Sequence, residues 1–228
     1  MFDAIIPLRS GSKGIKNKNL KKINKDTLIN HLIKKLIKIK DINRIFILTD
    51  SNNYKKKILK SKKINLDYIR SKKLSKDSSV IYDLIFDFIK WSNERNLELN
   101  KILLFQATSP LLQKKEIHQT INFIKRKKLK SLFHVTEMIE HPYECIKGLS
   151  KNWKYLSKIK KVNRQNYEKF YFINGSLYFF TIKFFQKYKK FYNLKSFAYK
   201  VDKINFVDID TKFDFEIAKK LLNLKIRS

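Results

Sequence analysis

The stretch Ala4-Ile5-Ile6-Pro7-Leu8-Arg9-Ser10-Gly11-Ser12-Lys13-Gly14 lies close to the start of the chain and decides the fold. Its apolar half, residues 4–8, predicts a short buried strand, and its polar half predicts a tight turn directly after that strand. Two glycines among small side chains let backbone N–H groups face an anion, and Arg9 and Lys13 add positive charge for a triphosphate. The spacing matches neither a Walker loop nor the dinucleotide motif. A plain tight connection is the alternative for the turn taken by itself.

Further along, short apolar runs alternate with amphipathic helical patterns. Helical spacing predicts helices near residues 28–37, 54–61, 80–91 and 116–127, and apolar runs predict strands at 44–49, 66–69, 102–105 and 132–135. This alternation predicts an α/β fold with a doubly wound, mainly parallel sheet, in which ligands bind beyond the carboxyl ends of the strands.

The second half of the chain changes character. Residues 138–170 are polar, aromatic and weakly periodic, and we expect them to form an excursion that serves as a lid or contacts a partner subunit. Strand composition returns at 170–180 and 197–201, and Thr211 with Asp214 has the spacing of a capping box before a last amphipathic helix. Without a linker or a repeat, residues 1–228 are predicted to form a single domain.

Composition limits the class of protein. The chain has 228 residues, enough for one α/β domain, and a single cysteine, Cys145, which excludes an intrachain disulfide. It has neither an apolar run of bilayer length nor a signal-peptide pattern at its start. We therefore expect a cytoplasmic protein without a membrane partner.

The net charge of +32 raises the alternative of a basic nucleic-acid-binding module. The 52 basic residues are mostly lysines spread along the whole chain, however, whereas arginine carries most recognition of phosphates and base edges. We interpret the excess as compositional drift toward lysine on solvated faces, with no specific nucleic-acid partner.

Six segments in order, within residues 3–220, resemble the acylneuraminate cytidylyltransferases, the CMP-sialic acid synthetase family. Asn174-Gly175-Ser176-Leu177-Tyr178, for example, is similar to the Asn-Gly-Ala-Ile-Tyr of that family. The other five are the opening loop with Lys18-Asn19-Leu20, Leu48-Thr49-Asp50-Ser51, Arg70 with Leu74-Ser75-Lys76-Asp77-Ser78-Ser79, Gln106-Ala107-Thr108-Ser109-Pro110-Leu111, and Asp208-Ile209-Asp210-Thr211 with Asp214. Two departures matter: Ala107 stands where the family has proline, and Leu112 stands where it has arginine, so no role is assigned to position 112.

The resemblance implies a Rossmann-like fold of the nucleotide-diphospho-sugar transferase type. It implies transfer of CMP from CTP to the anomeric hydroxyl of a sialic-acid-type nine-carbon 2-keto sugar acid, with release of pyrophosphate and with Mg²⁺ as cofactor. Legionaminic acid, pseudaminic acid and the eight-carbon KDO are the alternative sugars. The family also implies a homodimer in which the excursion contacts the partner's site.

Residue roles carried over by the resemblance fall into three groups. The catalytic residues are Arg9, Lys13, Lys18, Asp208 and Asp210. The residues that contact CTP are Arg9, Ser10, Gly11, Lys13, Asn19, Arg70 and Ser79. The residues that contact the sugar are Gln106, Thr108, Ser109, Arg164, Gln165 and Asn174. Two of them have structural alternatives: Ser79 as a helix cap, and Asn174 as a turn or bulge residue.

A metal site is predicted at Asp208 and Asp210. The two acids are two residues apart on an extended segment, so both carboxylates point to one side. Two hard oxygen ligands on one face suit Mg²⁺, which takes phosphate and water for its other positions. The alternative is that Thr211 caps the next helix and that acids are favoured at a helix N-terminus.

We predict that the chain binds DNA and RNA weakly and without sequence preference despite its charge. Because the lysines are spread evenly, binding should follow the nonspecific pattern, with a dissociation constant of about 1–100 µM at physiological salt and a steep loss with added salt. Fluorescence anisotropy with labelled oligonucleotides of several sequences, at two salt concentrations, measures this. Tight binding to one sequence would favour the nucleic-acid-binding module instead.

Overall fold

The computed structural model describes residues 1–11, 14–157, 163–202 and 207–227. Its helices are α1 (Leu28–Leu36), α2 (Asn52–Lys57), α3 (Ile81–Asn93), α4 (Lys114–Lys127), α5 (Ile182–Tyr188) and α6 (Lys212–Arg227). Its strands are β1 (Phe2–Leu8), β2 (Lys22–Ile23), β3 (Asp26–Thr27), β4 (Ile42–Thr49), β5 (Ile64–Asn65), β6 (Lys101–Phe105), β7 (Ser131–Glu137), β8 (Ile146–Lys147), β9 (Lys154–Tyr155), β10 (Tyr171–Thr181) and β11 (Phe197–Lys200).

Seven of these strands form one sheet in the order β11-β7-β10-β6-β1-β4-β5. Strand β1 pairs in parallel with β4 on one side and with β6 on the other. The chain thus moves outward from β1 through β4 to β5 and then returns to β6 across β1, which creates a topological switch point between β1 and β6. Only β10 runs antiparallel to its neighbours within this sheet. The predicted mainly parallel, doubly wound sheet is confirmed.

Helices cover both faces of the sheet because β1 is apolar on both. Ala4 and Ile6 are buried in a cluster with residues of α1 and α4, whereas Ile5 is buried in a second cluster with residues of α3 and α5. A third cluster, smaller than these two, holds α6 to the loop that follows β1; it consists of Ile15, Ile23, Leu28, Leu111, Ile209, Phe215, Ala218 and Leu222. Within the described ranges, no helix is long and apolar enough to cross a membrane.

The strand β10 contains a bulge, residues 174–177. Ile173 pairs with Val135 and Tyr178 pairs with Phe133, so these four residues of β10 lie opposite the single residue His134 of β7. Gly175 has a φ of 71°, a backbone conformation that glycine adopts readily. The alternative interpretation of Asn174 as a bulge residue is therefore correct for its backbone.

Parts of the sequence-based prediction of the fold need correction. The helix predicted at 54–61 ends earlier, because α2 covers Asn52–Lys57 and Ile58 is already extended. The strand predicted at 66–69 is wrong: β5 occupies Ile64–Asn65, and Ile69 makes only an isolated bridge with Thr49. The apolar run there leaves the sheet because Tyr68 packs into the second cluster instead. The helix α5 was not predicted. The capping box is confirmed, because Thr211 Oγ1 accepts from the Asp214 N–H and Asp214 Oδ2 accepts from the Thr211 N–H.

The segment between β7 and β10 stands outside the central sheet. Its described part contains the hairpin of β8 and β9 and two 3₁₀ turns, Pro142–Glu144 and Arg164–Asn166. Several large apolar side chains on it are exposed, among them Ile139, Leu149, Trp153 and Leu156.

Candidate active site

A cavity of about 540 Å³ opens beyond the carboxyl ends of β1 and β6, at the switch point of the sheet. Eight of the predicted site residues line it: Arg9, Lys18, Asn19, Arg70, Ser79, Gln106, Thr108 and Asp210. The remaining lining residues are Pro7, Gly14, Lys76, Asp77, Ile81, Leu84 and Ala107. The fold thus gathers side chains from four of the six quoted segments into one concave site.

The lining carries a net positive charge, since four cationic side chains face two carboxylates. Arg9 forms an ion pair with Asp77, and Lys18 pairs with Asp210 at 2.8 Å. The ammonium of Lys18 also donates to the Ile209 carbonyl oxygen. Such partly exposed pairs each stabilise a protein by about 1 kcal/mol or less, so an incoming polyanion can exchange them at low cost.

The loop after β1 is fixed by Asp50. The Ser10 N–H donates to Asp50 Oδ1 at 2.9 Å, and the Ser10 hydroxyl donates to Asp50 Oδ2 at 2.8 Å. Both donors of Ser10 are thereby used, and Ser10 and the exposed Gly11 lie outside the cavity lining. Lys13, the other predicted cation of this loop, lies outside the described residues.

Gly14 marks a close approach between this loop and the segment before α6. A Cβ at position 14 would lie 2.2 Å from the Asp210 carbonyl oxygen, so a side chain would force the two segments apart. Glycine is therefore required here for contact rather than for its φ.

Asn19, Arg70 and Ser79 occupy the part of the lining predicted to face a cytidine. Asn19 and Arg70 are buried, and the Arg70 guanidinium donates to the Leu74 carbonyl oxygen from Nε at 3.1 Å and from Nη2 at 2.6 Å. Burial lowers the pKa of Arg70, and the nearby Asp50 opposes that shift. The interpretation of Ser79 as a helix cap is wrong, because Val80 is the N-cap of α3 and the Ser79 hydroxyl donates to the Lys73 carbonyl oxygen.

Asp208 and Asp210 flank the buried Ile209, whose N–H donates to the Thr108 carbonyl oxygen at 3.0 Å. Burial raises the pKa of Asp208, and a hydrogen bond from the Thr108 side chain opposes this shift. Asp208 Oδ1 is buried and has no hydrogen-bond partner in the described part of the chain. An unpaired buried carboxylate oxygen beside a second carboxylate is a donor set that fits a hard cation such as Mg²⁺.

The residues predicted to contact the sugar are only partly brought together. Gln106 and Thr108 line the cavity, while Ser109 and Asn174 are buried, at 2% and 3% exposure. The bulge in β10 reaches the cavity wall, since a Cβ at Gly175 would lie 3.6 Å from Gln106 Nε2.

Arg164 and Gln165 lie away from this cavity. They are exposed on a 3₁₀ turn of the excursion, and Arg164 pairs with Glu144 at 3.2 Å. The cavity of a single chain is therefore lined without them.

Of the two departures from the family pattern, the structure explains the one at Leu112. Leu112 is buried in the same cluster as α1 and α4, so the arginine position of the family is a core position here. Lys35 donates to the carbonyl oxygens of Pro110 and Leu112 and thus brings a positive charge to the same segment. Ala107 lines the cavity.

Three charged residues of the site were missed from the sequence: Asp50, Lys76 and Asp77. Each lies inside a quoted segment, directly after a strand or before α3. The signal that could have found Asp50 is a carboxylate directly after the carboxyl end of a strand. Lys76 and Asp77 could have been found as charged residues between two others assigned to the site, Arg70 and Ser79.

Comparison with known proteins gives the family. A model of the cytidylyltransferase family matches residues 4–227. The chain is 29% identical over 214 residues to an N-acylneuraminate cytidylyltransferase of Streptococcus agalactiae serotype V, covering 92% of this chain and 51% of that protein. It thus spans about half the length of that relative. A CMP-N,N'-diacetyllegionaminic acid synthase of Legionella pneumophila is 26% identical, and the match covers 97% of this chain and 96% of that protein.

A solved structure agrees on the fold. The CMP:2-keto-3-deoxy-manno-octonic acid synthetase complexed with CTP superposes with a TM-score of 0.68, covering 98% of this chain and 99% of that one at 12% identity. At that identity the likeness concerns the fold, and it confirms the predicted nucleotidyltransferase-like architecture. The resemblance predicted from the six segments is likewise confirmed, and the chain belongs to the cytidylyltransferase family.

Proposed function

We propose that the chain transfers CMP from CTP to the anomeric hydroxyl of a sialic-acid-type nine-carbon 2-keto sugar acid and releases pyrophosphate. The observation that carries the proposal is the cavity at the switch point. Its lining combines cations for a triphosphate with the buried polar side chains Asn19 and Arg70 and the amide of Gln106.

In this reaction the anomeric oxygen forms a bond to the α-phosphorus and its hydroxyl proton is released to solvent, while the bond from that phosphorus to the bridging oxygen of pyrophosphate breaks. Catalysis of such a transfer is mostly positioning and charge neutralisation. Arg9 and Lys18 would bind phosphate oxygens after leaving Asp77 and Asp210. Asn19, Arg70 and Ser79 would hold the cytidine, whose amide-like edge offers matching donors and acceptors.

Asp208 and Asp210 would hold Mg²⁺ through their carboxylate oxygens, and the unpaired Asp208 Oδ1 supports this assignment. When bound, the ion would neutralise charge on the phosphate oxygens. Thr108 would orient Asp208 through its side-chain hydrogen bond, and Gly14 keeps the phosphate-binding loop against Asp210.

The sugar class follows the names of the relatives. The streptococcal relative is named for N-acylneuraminate and the Legionella one for a legionaminic acid. A pseudaminic acid cytidylyltransferase of Campylobacter jejuni, 26% identical, supports a third acid sugar as an alternative, and KDO is a fourth. Membership of the family argues against the nucleic-acid-binding module.

We propose a cytoplasmic homodimer. The exposed apolar side chains of the excursion support a subunit contact there, and Arg164 and Gln165 on the same segment would then reach the partner's cavity. The single cysteine, which has no disulfide partner in the chain, supports a cytoplasmic location.

The proposed function predicts pyrophosphate release that requires CTP, Mg²⁺ and one acid sugar. A coupled pyrophosphate assay with a panel of N-acetylneuraminic, legionaminic and pseudaminic acids and KDO measures it, with ATP, GTP and UTP as alternative nucleotides. The small polar wall of Asn19, Arg70 and Ser79 should favour CTP. Equal turnover with a purine triphosphate, or none with any sugar, would contradict the proposal.

Arg9→Ala should lower kcat by about a hundredfold while the protein stays folded, because it removes a charge-assisted contact with phosphate. The kcat of Arg9→Lys should lie between those of Arg9→Ala and the wild type, since lysine keeps the charge without the planar guanidinium. Steady-state kinetics and thermal denaturation measure both effects. Arg126→Ala, an exposed arginine outside the cavity, is the control and should match the wild type. Near-normal kinetics for Arg9→Ala would mean that the loop is only a turn.

Asp208→Asn and Asp210→Asn should each raise the Mg²⁺ concentration for half-maximal rate by at least about tenfold, because each removes one anionic ligand. Titration of Mg²⁺ at saturating CTP and sugar, after treatment with EDTA, measures this. Glu94→Gln changes an exposed carboxylate elsewhere and should leave the titration unchanged. If both aspartate variants behave like the wild type, the two acids only serve the N-terminus of α6.

A further inference from the structure

His134 is a buried polar side chain that the proposed reaction does not use. It lies in the middle of β7 with 0% exposure, and its ring stacks on Tyr199 of β11 at a centroid distance of 5.7 Å. Burial lowers its pKa to about 3, so the ring is neutral at physiological pH. A neutral imidazole has one nitrogen that donates and one that accepts.

The ring connects the helix layer to the bulge in β10. His134 Nε2 lies 2.9 Å from Thr120 Oγ1 on α4, and Nδ1 lies 3.1 Å from Ser176 Oγ inside the bulge. A bulge often re-aims a side chain next to a functional site, and here the residue opposite the bulge bonds to it directly.

The orientation of the Asn174 amide follows from these bonds. The Ser176 backbone N–H donates to the side chain of Asn174 at 3.0 Å, and because an N–H can only donate, the atom it meets is Oδ1. The Ser176 hydroxyl donates to the same oxygen at 2.8 Å. Since that uses the only proton of the hydroxyl, His134 donates from Nδ1 to Ser176. Nε2 of the neutral ring then accepts, so the Thr120 hydroxyl, which also lies 2.8 Å from the Glu116 carbonyl oxygen, donates to Nε2. The bonds therefore run from His134 through Ser176 to Asn174.

The remaining polar atom of the Asn174 amide is its nitrogen, Nδ2. Asn174 Nδ2 is buried and has no hydrogen-bond partner among the residues that the structure describes. A buried donor without an acceptor is costly, and in native proteins it is most often satisfied by a ligand or by water. The neighbouring Gly175 approaches Gln106, which lines the cavity, so a ligand in the cavity can supply an acceptor on this side of the bulge.

We infer that His134 and Ser176 are positioning residues: they lock the Asn174 amide so that Nδ2 donates a hydrogen bond to an oxygen of the acid sugar. The inference rests on the proposed function and adds the residues that prepare its sugar site. It belongs to this chain in particular, because the family pattern has alanine where Ser176 stands here.

Ser176→Ala tests the inference. The variant keeps the backbone bond to Asn174 and loses the hydroxyl, so the KM for the sugar should rise about three- to tenfold while the KM for CTP stays unchanged. The same change made in an Asn174→Ala background should have no further effect, because Ser176 acts only through Asn174. His134→Gln, which retains a donor and an acceptor, should lose less sugar affinity than His134→Ala.

Ser92→Ala is the matched control. It removes another buried serine hydroxyl, which donates to the Ile89 carbonyl oxygen at 2.7 Å within α3, and thus reports how the loss of a buried hydroxyl affects the Tm. Ser176→Ala should lower the Tm at least as much, because it also leaves the His134 Nδ1–H without its acceptor. Only Ser176→Ala should change the KM for the sugar. The inference is overturned, while the proposed function stands, if Ser176→Ala changes the KM for the sugar equally in the wild-type and the Asn174→Ala background. It is also overturned if Ser176→Ala raises the KM for CTP as much as the KM for the sugar. Failure of the wild type to turn over any sugar of the panel would remove both.

Discussion

The structure depends on β1 being buried on both faces and paired in parallel on both sides. Ala4, Ile5 and Ile6 have no exposure, so helices must cover the sheet above and below them. Parallel pairing brings the carboxyl ends of β1 and β6 to the same edge, and the change in winding direction leaves a crevice there. Arg9 and Gln106, the residues that follow these two ends, thereby face one cavity although they are far apart in the sequence.

The electrostatics of the cavity follow from this arrangement. Cations collected from separate segments would repel one another in an empty site, and the protein offsets part of that repulsion with its own carboxylates. Arg9 pairs with Asp77 and Lys18 pairs with Asp210. The negative charge of Asp50 favours the charged form of Arg70. Arg9, Lys18 and Arg70 therefore each have a carboxylate nearby.

The sequence was sufficient for the alternation of elements and for most of the cavity lining. Long amphipathic helices such as α3 and α4 and the apolar strands β1, β4 and β6 have strong periodic patterns. Prediction failed where the pattern is short or the cause is tertiary. The two residues of β5 give too little signal for a strand, and a run of apolar residues beside them packs against a helix instead.

Contacts between distant segments were also beyond sequence reasoning. Nothing local indicates that Ser10 bonds to Asp50, that a Cβ at Gly14 would clash with Asp210, or that His134 meets a bulge in β10. The Asn174-Gly175 pair suggested a bulge as one alternative. The number of residues in the bulge, however, is set by the register of β10 against its two neighbouring strands. Such features depend on how the strands align, which no single segment specifies.

The small size of the third cluster affects where the molecule unfolds locally. The buried apolar residues that anchor α6, including Ile209 and Phe215, are fewer than those of either cluster around β1. Cooperative units with few buried contacts unfold locally at lower free energy than the rest of a protein. Amide hydrogens of α6 should then exchange with solvent sooner than those of β1. Local unfolding of α6 would loosen the preceding segment, which bears Asp208 and Asp210, while the sheet stays intact.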